Sequence, residues 1–239
     1  FGPSCLFRID VPALRGRGSD FDLSRLGLRC RMPDVVRVDV SLCSGDRVMQ
    51  IVLASTSPRR RQLLTEAGYA FCAVSPKIEE STIRRTAATV RGYAEDLALA
   101  KAESVASDFP DALVIGADTL CDLDGEVIGK AADAADAERI TRKLFSRPHL
   151  VITGLALIRR SRNIRIVRSD VTTVYPRKLT ESQIAQHVAG GAWEGKAGAY
   201  AIQEVGDAFV ERIEGSFTNV MGMPMELLGQ LLDDLREPD

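Results

Sequence analysis

Histidine is scarce in this chain of 239 residues, which contains only His149 and His187. Two histidines exclude a histidine-rich metal site, so a metal ion would have to be held by carboxylates, which favours Mg²⁺ or Mn²⁺. The five cysteines are scattered, and no two of them form a C-x-x-C pair. This spacing argues against a zinc site and indicates free thiols in a reducing compartment, so we expect a cytoplasmic protein.

Long apolar runs and an excess of positive charge are also absent. No stretch approaches the roughly 18 uninterrupted apolar residues of a membrane span. The formal net charge is −2, so no basic footprint points to nucleic acid. We therefore expect neither a membrane nor a nucleic acid as a partner. Hydrophobic residues make up 45% of the chain, which is typical of a globular protein.

Residues 1–48 do not resemble the rest of the chain. They hold several arginines, glycines and prolines, without a sustained periodicity of 3.6 or 2. The segment lacks the apolar core of a secretory signal, and its acidic residues argue against a transit peptide. Met49 directly precedes the first well-formed strand. We therefore expect a folded domain at 49–239, and a poorly ordered extension or upstream sequence from an early start assignment at 1–48.

From Met49 onward, strand and helix patterns alternate without an internal repeat, which predicts a single α/β unit. Asp124-Gly125 is a strong signal for a β-hairpin, and a second hairpin is predicted across Arg159–Asn163. The predicted strands are 51–54, 69–75, 112–117, 150–158, 164–174 and 208–213. The predicted helices are 58–67, 88–107, 133–145, 181–189 and 224–235.

The turn between the first strand and the first helix reads ASTSPRRR, residues 54–61. Ser57 is a good N-cap, and Pro58 suits the first helical turn. Arg59 and Arg60 place positive charge at the positive end of the helix, where carboxylates would be favoured. Together with the hydroxyls of Ser55 and Ser57, the arginines and the free helical N–H groups predict a phosphate site. A capped helix with solvated arginines would explain the same residues.

Asp118 follows the apolar run 112–117, so we expect it at the end of a strand. The carboxyl ends of strands line the ligand crevices of open α/β sheets, and Gly116 leaves this edge open for close approach. The carboxylate could act as a general base or a metal ligand, or it could only cap a turn. Glu79 and Glu80 are candidate metal partners, although paired loop glutamates are usually solvated.

Three lysines and one glutamine complete the candidate residues. Lys130 and Lys196 each follow a glycine and could reach a phosphate as point charges, with solvated surface lysines as the alternative. Lys101 lies near the apolar stripe of a predicted helix, which is unusual because lysine is rarely buried unless paired. Gln203 ends an apolar stretch, and its carboxamide could read the edge of a nucleotide base through a paired donor and acceptor.

Seven short motifs occur in an order and spacing that resemble the Maf family, nucleotide pyrophosphatases first described as septum-formation inhibitors. The resemblance covers about residues 49–235. The motifs are STSPRRRQLL (55–64), IEE (78–80), VIGADT (114–119), GEVIGKA (125–131), HLVITGLALI (149–158), KAGAYAIQ (196–203) and IEGSFTNVMGMP (213–224).

The resemblance implies a fold, an activity and a site. The implied fold is mixed α/β, with an elongated central sheet flanked by helices and two lobes that enclose a nucleotide cleft. The implied activity is hydrolysis of a nucleoside triphosphate to the monophosphate and pyrophosphate with Mg²⁺ or Mn²⁺, in a protein that could form a homodimer. Asp118 matches the proton acceptor and, with Glu80, a metal ligand. The implied substrate-binding residues are Ser55, Ser57, Arg59, Arg60, Lys101, Thr119, Lys130, Lys196 and Gln203, of which Arg59, Thr119 and Gln203 match positions linked to base choice.

The resemblance also bears on which nucleotide is hydrolysed. The sequence G-A-D-T at Gly116–Thr119 follows the branch that acts on dTTP and UTP, whereas the 7-methyl-GTP branch tends to carry G-S-D-Q. Glu204 stands where members of the family commonly have glycine, and this carboxylate could alter the preference. Two alternatives remain: a 7-methyl-GTP pyrophosphatase, and a non-catalytic nucleotide-binding regulator of septum formation.

Overall fold

The computed structural model describes residues 49–79, 83, 87–202 and 208–235. Residues 1–48, Glu80, Gln203 and Glu204 lie outside the described residues, and so do the predictions made for them. Within the described ranges, no helix is both long enough and apolar enough to cross a membrane. All described residues belong to one compact unit.

Strands and helices alternate along the described residues, which form seven strands and six α-helices. The strands are β1 (Ile51–Ala54), β2 (Phe71–Val74), β3 (Leu113–Leu123), β4 (Glu126–Ile128), β5 (His149–Arg159), β6 (Ile164–Pro176) and β7 (Val210–Glu214). The helices are α1 (Pro58–Glu66), α2 (Val90–Ala106), α3 (Ala134–Leu144), α4 (Glu181–Ala189), α5 (Phe217–Met221) and α6 (Met225–Asp234). The predicted alternation is confirmed, and the clearest difference in element bounds is at the end of β3.

The strands form one mixed sheet in the order β2-β1-β3-β5-β6-β7, with β4 paired to β3. Strand β1 is parallel to both of its neighbours, and the pairs from β3 to β7 are antiparallel. The two predicted hairpins are present; Asp124 and Gly125 form the β3–β4 turn with φ of 53° and 84°. The predicted mixed α/β sheet flanked by helices is therefore confirmed.

Strand β3 continues well past its predicted end. Asp118 pairs with Gly154 in the middle of the β3–β5 ladder, so the prediction that Asp118 ends the strand is wrong. The apolar run stops before Asp118, but hydrogen bonding to β5 carries the strand onward. The parallel neighbour β1 does stop at this level, because its last pair is Ala54 with Gly116. Asp118 therefore lies just beyond the carboxyl end of β1, where ligand crevices form.

Helix α2 lies unusually close to the two central strands. A Cβ atom on Gly116 would be 2.2 Å from the carbonyl oxygen of Ala98, and one on Gly154 would be 2.2 Å from that of Ala94. The absence of a side chain at Gly116 therefore allows α2 to pack against β3, and the prediction that this glycine leaves room for a ligand is wrong. This close packing brings Lys101 of α2 beside the middle of β3.

The central strands β3 and β5 contribute to each of the four hydrophobic clusters found among the described residues. Successive side chains of a strand point to opposite faces of the sheet. Accordingly, Leu113 and Ile115 pack with residues of α1 and α6, whereas Val114 packs with residues of α2. Because the strand that carries Asp118 is packed on both faces, its backbone is a rigid support for a functional side chain.

Candidate active site

A cavity of about 680 Å³ lies at the carboxyl end of β1. Its volume is within the usual range of small-molecule sites, about 300–1,000 Å³. Among the described residues that line it, the five cationic side chains outnumber the two carboxylates. The cations are Arg59, Arg60, Lys101, Lys130 and Lys196, and the carboxylates are Asp118 and Glu194. This excess of positive charge suits a polyanionic ligand.

The structure brings together nine of the predicted site residues that it describes, whereas the described candidate Glu79 is not part of the cavity lining. These nine residues come from α1, α2, β3 and three loops, one of which is the turn between β1 and α1, and all of them line the same cavity: Ser55, Ser57, Arg59, Arg60, Lys101, Asp118, Thr119, Lys130 and Lys196. Their roles in binding or catalysis stay predictions. Glu80 and Gln203 lie outside the described residues.

Lys101 and Asp118 form a buried ion pair in the wall of the cavity. The ammonium of Lys101 donates a hydrogen bond to Oδ1 of Asp118, and each residue is 6% exposed. The pairing explains why a lysine can lie on the apolar stripe of α2. It also holds the carboxylate of Asp118 in place beside the cavity, which is the arrangement that a general base requires.

The guanidinium of Arg60 is buried and ties three segments together. Its Nε donates to the carbonyl oxygen of Gly222 at 2.8 Å, and its Nη2 donates to Oγ1 of Thr119 at 3.1 Å. Its Nη1 donates to Oγ of Ser55 at 3.3 Å. Arg60 thus joins the start of α1 to β3 and to the residue that follows α5. The alternative of a merely solvated arginine is wrong for this position.

Gly222 supplies the carbonyl oxygen that Arg60 binds. It ends α5 with φ of 110°, a conformation that strongly favours glycine. A Cβ atom there would be 3.4 Å from Oγ1 of Thr119 and 3.7 Å from Nε of Arg60. These are ordinary contact distances, so glycine is required here by the backbone conformation of the turn and not by lack of space.

The first turn of α1 has no side-chain cap. Ser57 occupies the N-cap position as predicted, but its side chain makes no capping hydrogen bond, and its N–H donates to Oγ of Ser55 at 3.1 Å. By contrast, helices α2, α3, α4 and α5 each have a side-chain cap. No acidic residue lies in the first turn of α1. The backbone N–H groups of the first turn of α1 and the side chain of Arg59, which lines the cavity, form a setting that suits an anion.

Two loops that carry lysines lie side by side on the cavity. Lys130 forms an isolated antiparallel bridge with Ala197, and the N–H of Gly198 donates to the carbonyl oxygen of Gly129 at 2.9 Å. The ammonium of Lys196 donates to the carbonyl oxygen of Ala192 at 2.6 Å. This backbone pairing brings two residues that are 66 positions apart in the sequence to one cavity.

Sequence reasoning did not single out Glu194, Tyr200 or Cys121, which also line the cavity. Burial raises the pKa of the Cys121 thiol to about 12, and it raises the pKa of Tyr200 well above 10. A thiol with so high a pKa is not a nucleophile at neutral pH. Glu194 adjoins the Gly195-Lys196 pair, and this neighbourhood is the one sequence signal that could have identified it.

His149 contacts Tyr200 from behind the cavity wall. Its Nε2 lies 3.0 Å from the Tyr200 hydroxyl, and its Nδ1 lies 3.2 Å from the carbonyl oxygen of Leu144. Burial lowers the pKa of His149 to about 4, so the ring is neutral at pH 7. The Nδ1–H therefore donates to the carbonyl oxygen, and Nε2 accepts from the tyrosine. His149 is therefore a packing residue behind the cavity.

The described residues fit a metal ion that is bound jointly by a carboxylate and by the phosphates of a substrate. Among the described residues, no group of three or more His, Cys, Asp or Glu side chains could hold a metal ion. A cage made by the protein alone is therefore not found in that part of the chain. Mg²⁺ is usually bound through one or two carboxylates together with substrate phosphates. Asp118, beside a cavity suited to polyanions, fits that second arrangement.

Several dTTP/UTP pyrophosphatases are similar to this chain over about three quarters of its length. The dTTP/UTP pyrophosphatase of Geobacter metallireducens is 43% identical over 78% of this chain and 95% of its own length. That of Moorella thermoacetica is 44% identical over 77% of this chain and 93% of its own length. That of Elusimicrobium minutum is 40% identical over 78% of this chain and 98% of its own length.

Among solved structures, the Ham1 protein of Staphylococcus aureus matches 78% of this chain and 100% of its own chain at 15% identity, with a TM-score of 0.47. The sequence pattern of the Maf-like protein family matches residues 50–235. This match covers more than half of the chain and contains every described residue of the cavity. The chain therefore belongs to the Maf-like protein family.

Proposed function

We propose that this chain hydrolyses dTTP and UTP to the monophosphate and pyrophosphate. Three relatives that carry this activity in their names match it over 93–98% of their own length. The observation that carries the proposal is the buried Lys101–Asp118 pair in the wall of a cavity whose described lining has more cations than carboxylates. A protein that only bound nucleotides would need the cations but not a buried carboxylate beside them.

The cations and backbone donors hold the triphosphate. Arg59 and the N-terminal N–H groups of α1 bind phosphate oxygens from one side, and the ammonium groups of Lys130 and Lys196 bind them from the paired loops. Catalysis of phosphoryl transfer depends mostly on positioning and on neutralising charge, and these residues supply both. Arg60 already bonds three protein oxygens, so it holds the turn between β1 and α1 in place against the cavity wall.

Asp118 acts on the attacking water. Its carboxylate accepts a proton from the water while the water oxygen bonds to the α-phosphorus. The bond from the α-phosphorus to the bridging oxygen breaks, and pyrophosphate leaves with that oxygen and its electron pair. Lys101 holds the carboxylate in position through its hydrogen bond to Oδ1.

A divalent cation, Mg²⁺ or Mn²⁺, completes the proposed site. Asp118 would hold it, with Glu80 as the second carboxylate predicted from the resemblance. The ion would neutralise charge on the phosphate oxygens as the leaving group departs.

The direct test is to incubate the protein with dTTP or UTP and Mg²⁺ and to measure pyrophosphate. We expect both nucleotides to be hydrolysed and the Asp118→Asn variant to release almost none. Parallel assays with CTP and 7-methyl-GTP measure the base preference. Faster turnover of 7-methyl-GTP than of dTTP and UTP would indicate a 7-methyl-GTP pyrophosphatase instead. Tight binding of dTTP without release of pyrophosphate would instead support a non-catalytic regulator.

Three further expectations stay predictions. The domain boundary at Met49 is tested by N-terminal sequencing of the native protein, and a start well before Met49 would contradict the early-start explanation of 1–48. The homodimer is tested by light scattering on the purified protein. The cytoplasmic location is tested by fractionation of the source cells.

A further inference from the structure

A buried threonine lies directly behind the cavity wall. Thr153 of β5 is opposite Thr119 of β3 in the sheet register, and it is 0% exposed. The two hydroxyl oxygens are 3.0 Å apart, which is a cross-strand hydrogen bond. The hydroxyl of Thr153 also donates to the carbonyl oxygen of Asn219 at 3.0 Å.

The direction of each hydrogen bond in this chain of groups follows from the number of protons. A hydroxyl has one proton, and that of Thr153 is used on the carbonyl oxygen of Asn219. Thr119 therefore donates its own proton to Thr153 at 3.0 Å, because its other acceptor, the carbonyl oxygen of Gly222, is 3.5 Å away and already accepts from Nε of Arg60. A guanidinium only donates, so Thr119 accepts from Nη2 of Arg60. The bonds run in one direction, from Arg60 through the two threonines to Asn219.

We infer that Thr153 is a positioning residue of the nucleotide site, which acts through Thr119 on the guanidinium of Arg60. It takes the single proton of Thr119, so that the oxygen of Thr119 faces Arg60 as an acceptor. Without Thr153, the proton of Thr119 turns to the carbonyl oxygen of Gly222, where it competes with Nε of Arg60 for the same acceptor. The inference rests on the proposed function because it assumes that the cavity binds a nucleotide.

Helix α5 does not depend on Thr153 for its position. The side-chain amide of Asn219 donates to the carbonyl oxygen of Val151 at 3.0 Å and to Oγ1 of Thr172 at 2.9 Å. Ser216 caps the helix by accepting from the N–H of Asn219 at 3.0 Å. Loss of the Thr153 hydroxyl therefore leaves the helix anchored, and its effect falls on Thr119.

The test measures binding of α,β-methylene-dTTP, which cannot be hydrolysed at the α-phosphorus, by calorimetry. We expect Thr153→Val to raise the Kd about fivefold to tenfold, the range that the loss of one oriented hydrogen bond gives. Thr153→Ser keeps the hydroxyl and should stay within about twofold of the wild type by the same reasoning. Thr141→Val is the matched control, because Thr141 is equally buried and bonds only a carbonyl of its own helix in α3.

A double-mutant cycle with Thr119→Val tests whether Thr153 acts through Thr119. We expect Thr153→Val to raise the Kd less than about twofold in the Thr119→Val background, because the hydroxyl that it orients is already gone. Equal effects in both backgrounds would overturn the inference. So would an unchanged Kd in Thr153→Val itself, or an increase of the same size in Thr153→Ser or in Thr141→Val.

Thermal melting of each variant shows whether a raised Kd comes from a loss of folding or from a change in the position of the Arg60 guanidinium. If Thr153→Val does not fold, Thr153→Cys replaces it, because a thiol fills similar space and donates only weakly. An unchanged Kd in that variant overturns the inference, and a raised Kd supports it. Pyrophosphate release by the wild type is measured separately. A wild type that binds the analogue but hydrolyses no dTTP contradicts the proposed function alone, and one that does not bind contradicts both.

Discussion

Two lysine–carboxylate pairs of this protein have the same chemistry and opposite surroundings. Lys101 and Asp118 have side chains that are 8% and 9% exposed, and they lie in the wall of the cavity. Lys143 and Glu126 have side chains that are 32% and 56% exposed, with their charged atoms 2.5 Å apart on the surface. The hydrogen bond from Lys143 lowers the pKa of Glu126.

The difference teaches what each pair does. An exposed pair is screened by water and contributes little to stability. A buried pair loses hydration that its attraction only partly replaces, so it is weak evidence for a role in stability. The buried pair is therefore better explained by chemistry: one partner is kept charged and oriented beside a cavity that suits a polyanion.

Asp118→Asn should give the largest effect. The amide keeps the shape of the side chain but cannot accept a proton from water, and general base catalysis contributes about 10²–10⁴-fold. We expect the rate of pyrophosphate release to fall at least about a thousandfold, while binding of α,β-methylene-dTTP stays measurable. A near-native rate would remove Asp118 from the mechanism. Glu126→Gln, the same kind of change in the exposed pair, should leave the rate unchanged.

Lys101→Met should destabilise the fold strongly, because it leaves the carboxylate of Asp118 buried without its cation. Removing one partner of a buried pair costs about 3–5 kcal/mol, and we expect the free energy of unfolding in urea to fall by that amount. Adding Asp118→Asn to this variant removes the unpaired charge and should recover at least about 1 kcal/mol. A double variant no more stable than Lys101→Met would show that the two side chains are not energetically coupled.

His149 adds a third case to the comparison of the two ion pairs. It is buried, and its described hydrogen bonds are to neutral partners. Burial lowers its pKa to about 4 from the ordinary value of 6.5, so between these two pH values the unfolded chain binds a proton that the folded protein does not. The free energy of unfolding should therefore fall as the pH drops from 6.5 to 4, by on the order of 3 kcal/mol in total. In His149→Gln this part of the pH dependence should disappear. Urea titrations of both proteins across that range test it, and parallel curves would contradict the prediction.

Lys143→Met should give the smallest effect. The ammonium and its partner Glu126 can both be hydrated when they separate, because the two side chains are 32% and 56% exposed. We expect thermal melting and pyrophosphate release both to match the wild type. A clear loss of either would mean that exposure is not what distinguishes the two pairs.

The sequence predicted the elements and the set of site residues better than it predicted their surroundings. Local signals are sufficient for Asp124-Gly125, which forms its hairpin, and for α4, whose predicted and observed bounds are both 181–189. The resemblance placed nine described residues in one cavity. It could not show that Asp118 lies inside a strand, because the pairing of β3 with β5 depends on residues that are far apart in the sequence.

At the turn that carries Arg59 and Arg60, the features that the local sequence determines are easily distinguished from those that tertiary packing decides. The sequence by itself determined that a helix starts after Ser57 with positive charge in its first turn, because capping, proline and charge act within a few residues. Only the tertiary structure decided that Arg60 is buried against Gly222 and Thr119, 162 and 59 positions away. It also decided that Lys101 meets Asp118, because α2 can approach β3 only where Gly116 has no side chain. Contacts of this kind depend on how the elements pack, and no short stretch of the chain contains that information.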